Sequence, residues 1–246
     1  MKLFKKVLAG VAVAAALATS AQASYINVGG VQWDPDSTFD FNAKFDFNQW
    51  FVTSGSTTTL TGVGEVYKLN NANPSTMNGS TLPFLPSGGE LTFQFGGFDV
   101  TGTGFSNGWL KVYIDSVDNF DVGSTPQGIT EATDGTLFFS LVATSNNFVS
   151  LASSGEPFYS AGTLTANWNI DASAGGLAWT NFDTNGQSLG TDIFSRSSAT
   201  FEFGNPVSVL GNGSLVGNSI PEPESLALVG LGLLGLAAAR RRKAAK

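Results

Sequence analysis

Phe39-Asp40-Phe41-Asn42-Ala43-Lys44-Phe45-Asp46-Phe47 is the stretch that decides the fold class. Phe39, Phe41, Phe45 and Phe47 fall on one face at a period of two, and Asp40, Asn42, Lys44 and Asp46 fall on the other. Successive side chains of a strand point to opposite faces, so the pattern predicts a strand with one face in a core and one in water. The same register recurs at Thr57–Leu69, Glu90–Val100, Trp109–Asp115, Thr136–Thr144, Gly162–Ile170 and Ala199–Phe203. Turn-forming residues punctuate the runs: Asp34-Pro35-Asp36, Asn73-Pro74-Ser75, Pro86-Ser87-Gly88-Gly89, Ser106-Asn107-Gly108, Asp134-Gly135 and Thr184-Asn185-Gly186-Gln187. No stretch between the two ends carries a 3.6-residue apolar stripe, so there are no helices to make the crossovers of a parallel sheet. The expected fold is all-β, an antiparallel β-sandwich or jelly roll spanning residues 24–204.

The chain has no Cys and no His. That removes disulfides, thiolate nucleophiles, Ser-His-Asp triads and His- or Cys-based metal sites, leaving carboxylates, Lys, Tyr or Ser for any chemistry. Residues 24–220 hold four basic residues (Lys44, Lys68, Lys111, Arg196) against seventeen acidic ones, a net −13. The whole-chain value of −7 is milder only because the other eight basic residues sit at the two ends. A domain so acidic repels nucleic acid and anionic lipid, and suits neutral glycans, cationic surfaces or divalent cations.

Both ends read as addresses. Met1-Lys2-Leu3-Phe4-Lys5-Lys6, the apolar run Val7–Leu17 and the small-x-small site Ala21-Gln22-Ala23 form a secretory signal peptide over residues 1–23. The Sec machinery is then the export partner. At the other end, Pro221-Glu222-Pro223 is held extended, since neither proline can sit inside a helix. The 14 residues Leu226–Ala239 follow, about 21 Å as a helix and short for a permanent span. Arg240-Arg241-Arg242-Lys243 opens a basic tail, 240–246, that stays in the cytoplasm by the positive-inside rule. Asn205–Ile220, rich in Gly, Asn and Ser with scattered Val and Leu, reads as a last edge strand running into a spacer that carries Glu222 clear of a domain ending at residue 204.

The segment 221–246 closely resembles the PEP-CTERM sorting signal of Gram-negative bacteria. The likeness lies in Pro221-Glu222-Pro223, the Gly-rich apolar run containing Leu231-Gly232-Leu233-Leu234-Gly235-Leu236, and Arg240-Arg241-Arg242-Lys243. Glu224 stands where that family often has a small residue. The resemblance implies processing by exosortase, a membrane transpeptidase-like cysteine enzyme, a transient stay in the inner membrane, and delivery to the cell surface or exopolysaccharide matrix. Gly30-Val31-Gln32-Trp33-Asp34-Pro35-Asp36 and Lys111-Val112-Tyr113-Ile114-Asp115-Ser116 also resemble flocculation-associated surface proteins that carry this signal. That likeness implies a structural or adhesive role in biofilm or floc.

Within the domain, Asp115, Asp118 and Asp121 form the densest acidic cluster, at spacing three after a strand. Solvated loop charges are the favoured reading and no cofactor is expected, though loop carbonyls beside them could complete a Ca²⁺ shell, which makes calcium the one cofactor worth testing. Asp34 and Asp36 around Pro35 predict an Asx turn rather than a metal site. Trp168 alternates with Leu164 and Ile170 and belongs to a core. Trp50 and Trp109, at a strand end and beside a turn, are better placed for glycan stacking. No pair of carboxylates stands out as a glycosidase couple. A non-catalytic surface protein is therefore expected, with a carbohydrate-binding module or a carboxylate-dependent polysaccharide hydrolase as alternatives.

Overall fold

The strand that carries the phenylalanine register runs from Phe41 to Ser54 (β3). Its inward residues Phe41, Ala43, Phe45 and Phe47 are all buried. The computed structural model describes residues 25–38, 40–70, 72, 84–86, 88–101, 104–122, 128–150, 161–200 and 209–220. Phe39, the expected signal peptide 1–23 and the segment 221–246 lie outside these residues. Seven further strands follow β3: β4 (Thr57–Leu69), β5 (Glu90–Thr101), β6 (Gly104–Asp115), β7 (Thr136–Ser150), β8 (Ala161–Ile170), β9 (Ile193–Thr200) and β10 (Val209–Gly217). Each is antiparallel to its sequence neighbours, and β10 returns to pair with β3, closing an eight-stranded barrel.

The all-β antiparallel expectation holds, but the layout is one closed meander rather than a two-sheet sandwich or jelly roll. Period-two alternation marks a buried face without saying whether it meets a second sheet or the same sheet rolled over. What allows closure is the pairing of large with small residues inside. Phe45 and Phe47 of β3 stand opposite Gly213 and Gly211 of β10. Phe93 and Phe95 of β5 stand opposite Gly64 and Gly62 of β4. A Cβ built on Gly211 would lie 2.4 Å from Phe47 Cζ, and one on Gly62 2.4 Å from Phe95 Cζ. The rings therefore lie across the bare backbone of the neighbouring strand, which is how eight strands fill their own interior. Edge-to-face contacts join the rings, Phe45 to Phe93 at 5.1 Å and Phe47 to Phe95 at 5.6 Å.

This corrects the domain boundary. The sequence pattern puts residues 205–220 outside the domain, as an edge strand running into a spacer; Val209–Gly217 is instead a full barrel strand paired on both sides, and the described fold runs to Ile220. Its glycines are sites of ring contact, not of slack. A second correction concerns Ser106-Asn107-Gly108, expected to separate strands. It lies within β6, where Asn107 (φ 59°) and Gly108 (φ 118°) kink the strand beside Gly97 (φ 66°) of β5. Left-handed backbone serves a kink as well as a reversal. The Asp34 turn forms as expected, with the Asp36 N–H donating to Asp34 Oδ1 at 3.0 Å.

The base of the barrel is plugged. A hairpin of β1 (Ile26–Val28) and β2 (Val31–Trp33) brings in Trp33, which stacks on Phe182 of the helical turn Trp179–Phe182 at 5.4 Å. Inside, the gaps between side chains measure about 10 and 40 Å³, against the several hundred that a ligand pocket needs. Among the described residues no helix is long and apolar enough to cross a membrane. The barrel wall is largely polar outside: Lys44, Asp46, Lys111, Thr163, Thr165 and Arg196 alternate with inward residues, with Val52, Tyr67, Val142, Val149 and Leu210 exposed among such groups. A lipid-spanning barrel has the opposite polarity.

Candidate functional site

The outer wall near the base is where charge collects. The connection between β6 and β7, described over 116–122 and 128–135, folds back over β3, β4 and β5. Phe120, Val122 and Ala132 from this connection cover Trp50 and Val63 in a small second core outside the barrel. Hydrogen bonds fix it: Asn48 Nδ2 donates to the Val122 carbonyl at 2.7 Å, and Thr92 Oγ1 donates to the Ala132 carbonyl at 2.9 Å. The Phe120 N–H donates to Glu90 Oε2 at 3.0 Å.

Around this second core lies a wall of carboxylates. Asp46 and Glu65 are direct cross-strand partners on the outer face of β3 and β4, a pairing of like charges that costs stability. Glu90 opens β5 opposite Asp115, which ends β6. Burial, reinforced by Asp121, Asp118, Glu90 and Asp46, raises the Glu65 carboxyl to about 7. Burial also lifts Glu90 to about 7; the Phe120 and Asn119 amides oppose the shift, and Asp118 and Asp134 add to it. Burial raises Asp46 as well. One carboxylate oxygen from each of Glu90, Asp115 and Asp134 lies within 4.8 Å of the others.

The structure thus separates the three aspartates singled out in the sequence. Asp115 joins Glu90 and Asp134, Asp121 lies toward Glu65, and Asp118 acts on both Glu65 and Glu90. Glu65, Glu90 and Asp134 went unrecognised because each is isolated in sequence. A signal was available for two of them: Gly88-Gly89 before Glu90 and Gly135 after Asp134 mark strand starts at one barrel end.

The tryptophans divide differently from expectation. Trp168 is core, donating Nε1–H to Ser195 Oγ at 2.8 Å. Trp50, expected to face a ligand, is only 6% exposed beneath Phe120 and Val122. The correction has a simple cause: the β6–β7 connection, distant in sequence, covers the outward face at that strand. Trp109 is half-buried on the outer wall, lying over Gly96 and Gly97, with Lys111 Nζ 5.5 Å from its ring centre. Its cross-strand neighbour Val142 is exposed.

The last described residues are tied to the base of the barrel. Asp40 accepts both the N–H of Ser219 and, at 2.7 Å, its hydroxyl. Trp33 Nε1 donates to Ser219 Oγ at 2.9 Å. The Ile220 N–H donates to the Asn181 carbonyl at 2.8 Å, and Asn181 Nδ2 returns a bond to the Ile220 carbonyl at 3.2 Å. A family model described as the PEP-CTERM protein-sorting motif matches residues 219–243, beginning at this latched serine. The chain carries a PEP-CTERM sorting motif. No curated protein and no solved structure matches the chain.

The PEP-CTERM motif makes this an exported protein of the cell surface or extracellular space, with exosortase as its processing partner. Pro221, Glu222 and Pro223, and the basic residues Arg240, Arg241, Arg242 and Lys243, fall inside the matched segment but outside the described residues. Ala21 and Ala23 of the expected signal-peptide cleavage site also fall outside them. The matched motif therefore begins almost directly after a strand of the barrel, with only Asn218 between them, and Asn218, Ser219 and Ile220 are all held by hydrogen bonds.

Proposed function

We propose that this protein is a non-catalytic structural or adhesive component of the exopolysaccharide matrix, biofilm or floc of a Gram-negative bacterium. The Sec machinery exports it, and exosortase cuts it near Pro221-Glu222-Pro223 after a transient stay in the inner membrane. The observation that carries this reading is the joining of the sorting motif to a barrel that is filled inside and polar outside. Among the described residues the barrel interior leaves gaps of only about 10 and 40 Å³, so contact with a polymer falls to the outer wall. That wall presents hydroxyls and amides such as Thr163, Thr165, Asn147 and Ser198, with half-buried Trp109 among them. Weak contacts repeated along a glycan suit such a surface.

The test is the intact mass of protein recovered from the outer surface and medium of its host. A mass ending near Ile220 to Glu224 supports the reading, and a mass retaining Leu226–Lys246 overturns it. Replacing Pro221-Glu222-Pro223 with alanines is expected to abolish both processing and display.

Trp109 favours a second reading, a carbohydrate-binding module, which predicts saturable sugar binding lost in Trp109→Ala without unfolding. The hydrolase alternative has Glu65 as its best acid, since its carboxyl at about 7 suits proton donation near neutral pH. Turnover of matrix polysaccharide abolished by Glu65→Gln would be its signature.

A further inference from the structure

The β6–β7 connection meets the barrel wall at its base through carboxylates, an arrangement that repels unless something positive lies between them. We infer that Glu90, Asp115 and Asp134 bind a calcium ion that pins this connection to the barrel. The separations suit the ion: the three oxygens lie within 4.8 Å of one another. Two oxygens sharing one calcium, each at about 2.3–2.6 Å, stand no more than about 5 Å apart.

Glu90 supplies the independent sign of a missing ligand. It is 5% exposed. Its Oε2 is occupied by the Phe120 N–H, but its Oε1 is buried with no hydrogen-bond partner. Buried carboxylate oxygens are ordinarily paired, because desolvating one without a partner is costly. The other two residues are oriented in a similar way. Asp115 Oδ1 accepts the N–H groups of Ser116 at 2.5 Å and Val117 at 3.2 Å. Asp134 Oδ2 accepts Asn119 Nδ2–H at 3.0 Å. Each carboxylate thus keeps one oxygen that takes no hydrogen bond from the described residues, while the bonded one fixes its direction.

The donor set selects the ion. Three carboxylates and no nitrogen or sulfur suit a hard cation. Calcium accepts six to eight oxygens in loose geometry, so mono- or bidentate carboxylates completed by water are enough; magnesium demands a strict octahedron at shorter distance. Asp115 immediately precedes the connection, Asp134 lies near its end, and Glu90 belongs to the wall beneath. One ion therefore ties both ends of the connection to β5 and holds Phe120, Val122 and Ala132 over Trp50.

The experiment is calorimetric titration of the EDTA-stripped full chain with CaCl₂ and, separately, MgCl₂, in 0.15 M NaCl. One calcium site is expected, with Kd about 10⁻⁴–10⁻³ M, the range of extracellular modules, and magnesium weaker by at least about tenfold. Glu90→Gln and Asp134→Asn should each weaken calcium binding at least about tenfold. Asp134 is exposed, so its variant tests the site without endangering the fold. Amide exchange at Phe120 and Val122 should slow with calcium in the wild type and not in Asp134→Asn. Absence of saturable calcium binding, equal binding of magnesium, or wild-type affinity in Asp134→Asn overturns the inference.

Discussion

Replacing Gly211 or Gly213 by alanine tests whether the Gly-rich stretch after residue 208 is barrel wall or loose tether. In a tether, Gly→Ala is neutral or stabilises by about 0.4–1 kcal/mol, because it narrows the unfolded ensemble. In the wall the new methyl has nowhere to go. At Gly211 it would lie 2.4 Å from Phe47 Cζ and 2.7 Å from both Phe47 Cε2 and Ala199 Cβ. Carbon atoms in contact prefer about 3.5–4.0 Å, so the Phe47 ring must retreat by about 1 Å. It cannot retreat freely, because Phe95 and Phe45 pack against it at 5.6 and 5.9 Å. At Gly213 the methyl meets the Arg196 carbonyl oxygen and the Phe45 ring, each at 2.6 Å, so backbone as well as side chain must shift.

Overpacking of this kind costs about 1–3 kcal/mol, and with the entropic gain set against it each variant should lose about 1–2 kcal/mol. Gly104 is the control, since a Cβ there meets nothing within 4 Å; Gly104→Ala should be neutral or gain a few tenths. Urea unfolding followed by tryptophan fluorescence gives the differences from shifted midpoints at constant slope. In a Phe47→Leu background Gly211→Ala should cost less by at least about 0.5 kcal/mol, the coupling of two groups that touch. If both variants are as stable as the wild type while Gly104→Ala behaves as described, the reasoning about ring and glycine is refuted.

Further expectations follow from the same packing. Trp50→Ala should cost about 3–5 kcal/mol by emptying the second core, whereas Trp109→Ala should cost under about 1 kcal/mol in the same urea titration. Glu65 titrates near 4.5 when unfolded and about 7 when folded. The folded chain therefore binds the extra proton, so the contribution of Glu65 to stability is greatest below pH 4.5 and is lost as pH rises to about 7. Midpoints in EDTA should be higher at pH 5 than at pH 8, with the difference reduced in Glu65→Gln; a higher midpoint at pH 8 contradicts the assignment. Asp192 is 2% exposed and accepts the Thr184, Asn185 and Ile170 N–H groups at 2.8, 2.6 and 2.8 Å. Asp192→Ala leaves three donors without an acceptor and should cost about 3–5 kcal/mol in thermal or urea unfolding. Asp40→Ala unties Ser219, and hydrogen exchange at the Ser219 and Ile220 amides should quicken while the β3–β10 core stays protected.

By itself the sequence determined much of this protein. The alternation of Phe41, Phe45 and Phe47 with Asn42, Lys44 and Asp46 is a local property of an extended chain, so the strands and their buried faces were legible. The sorting motif was legible too, because exosortase substrates carry their address as a linear pattern of prolines, apolar run and basic stop. Lack of Cys and His excluded whole classes of chemistry without any structure. What only the tertiary structure decided depends on which distant residues become neighbours. Glycines at 211 and 213 read as slack until the chain closes and sets Phe47 and Phe45 across them. Trp50 reads as available until Phe120, Val122 and Ala132 fold over it. Glu90, Asp115 and Asp134 are scattered singly along the chain, and the register of β5 on β6, with the return of the β6–β7 connection, makes them one group. Electrostatics and close packing act through space, and on those points the order of residues is silent until the barrel closes.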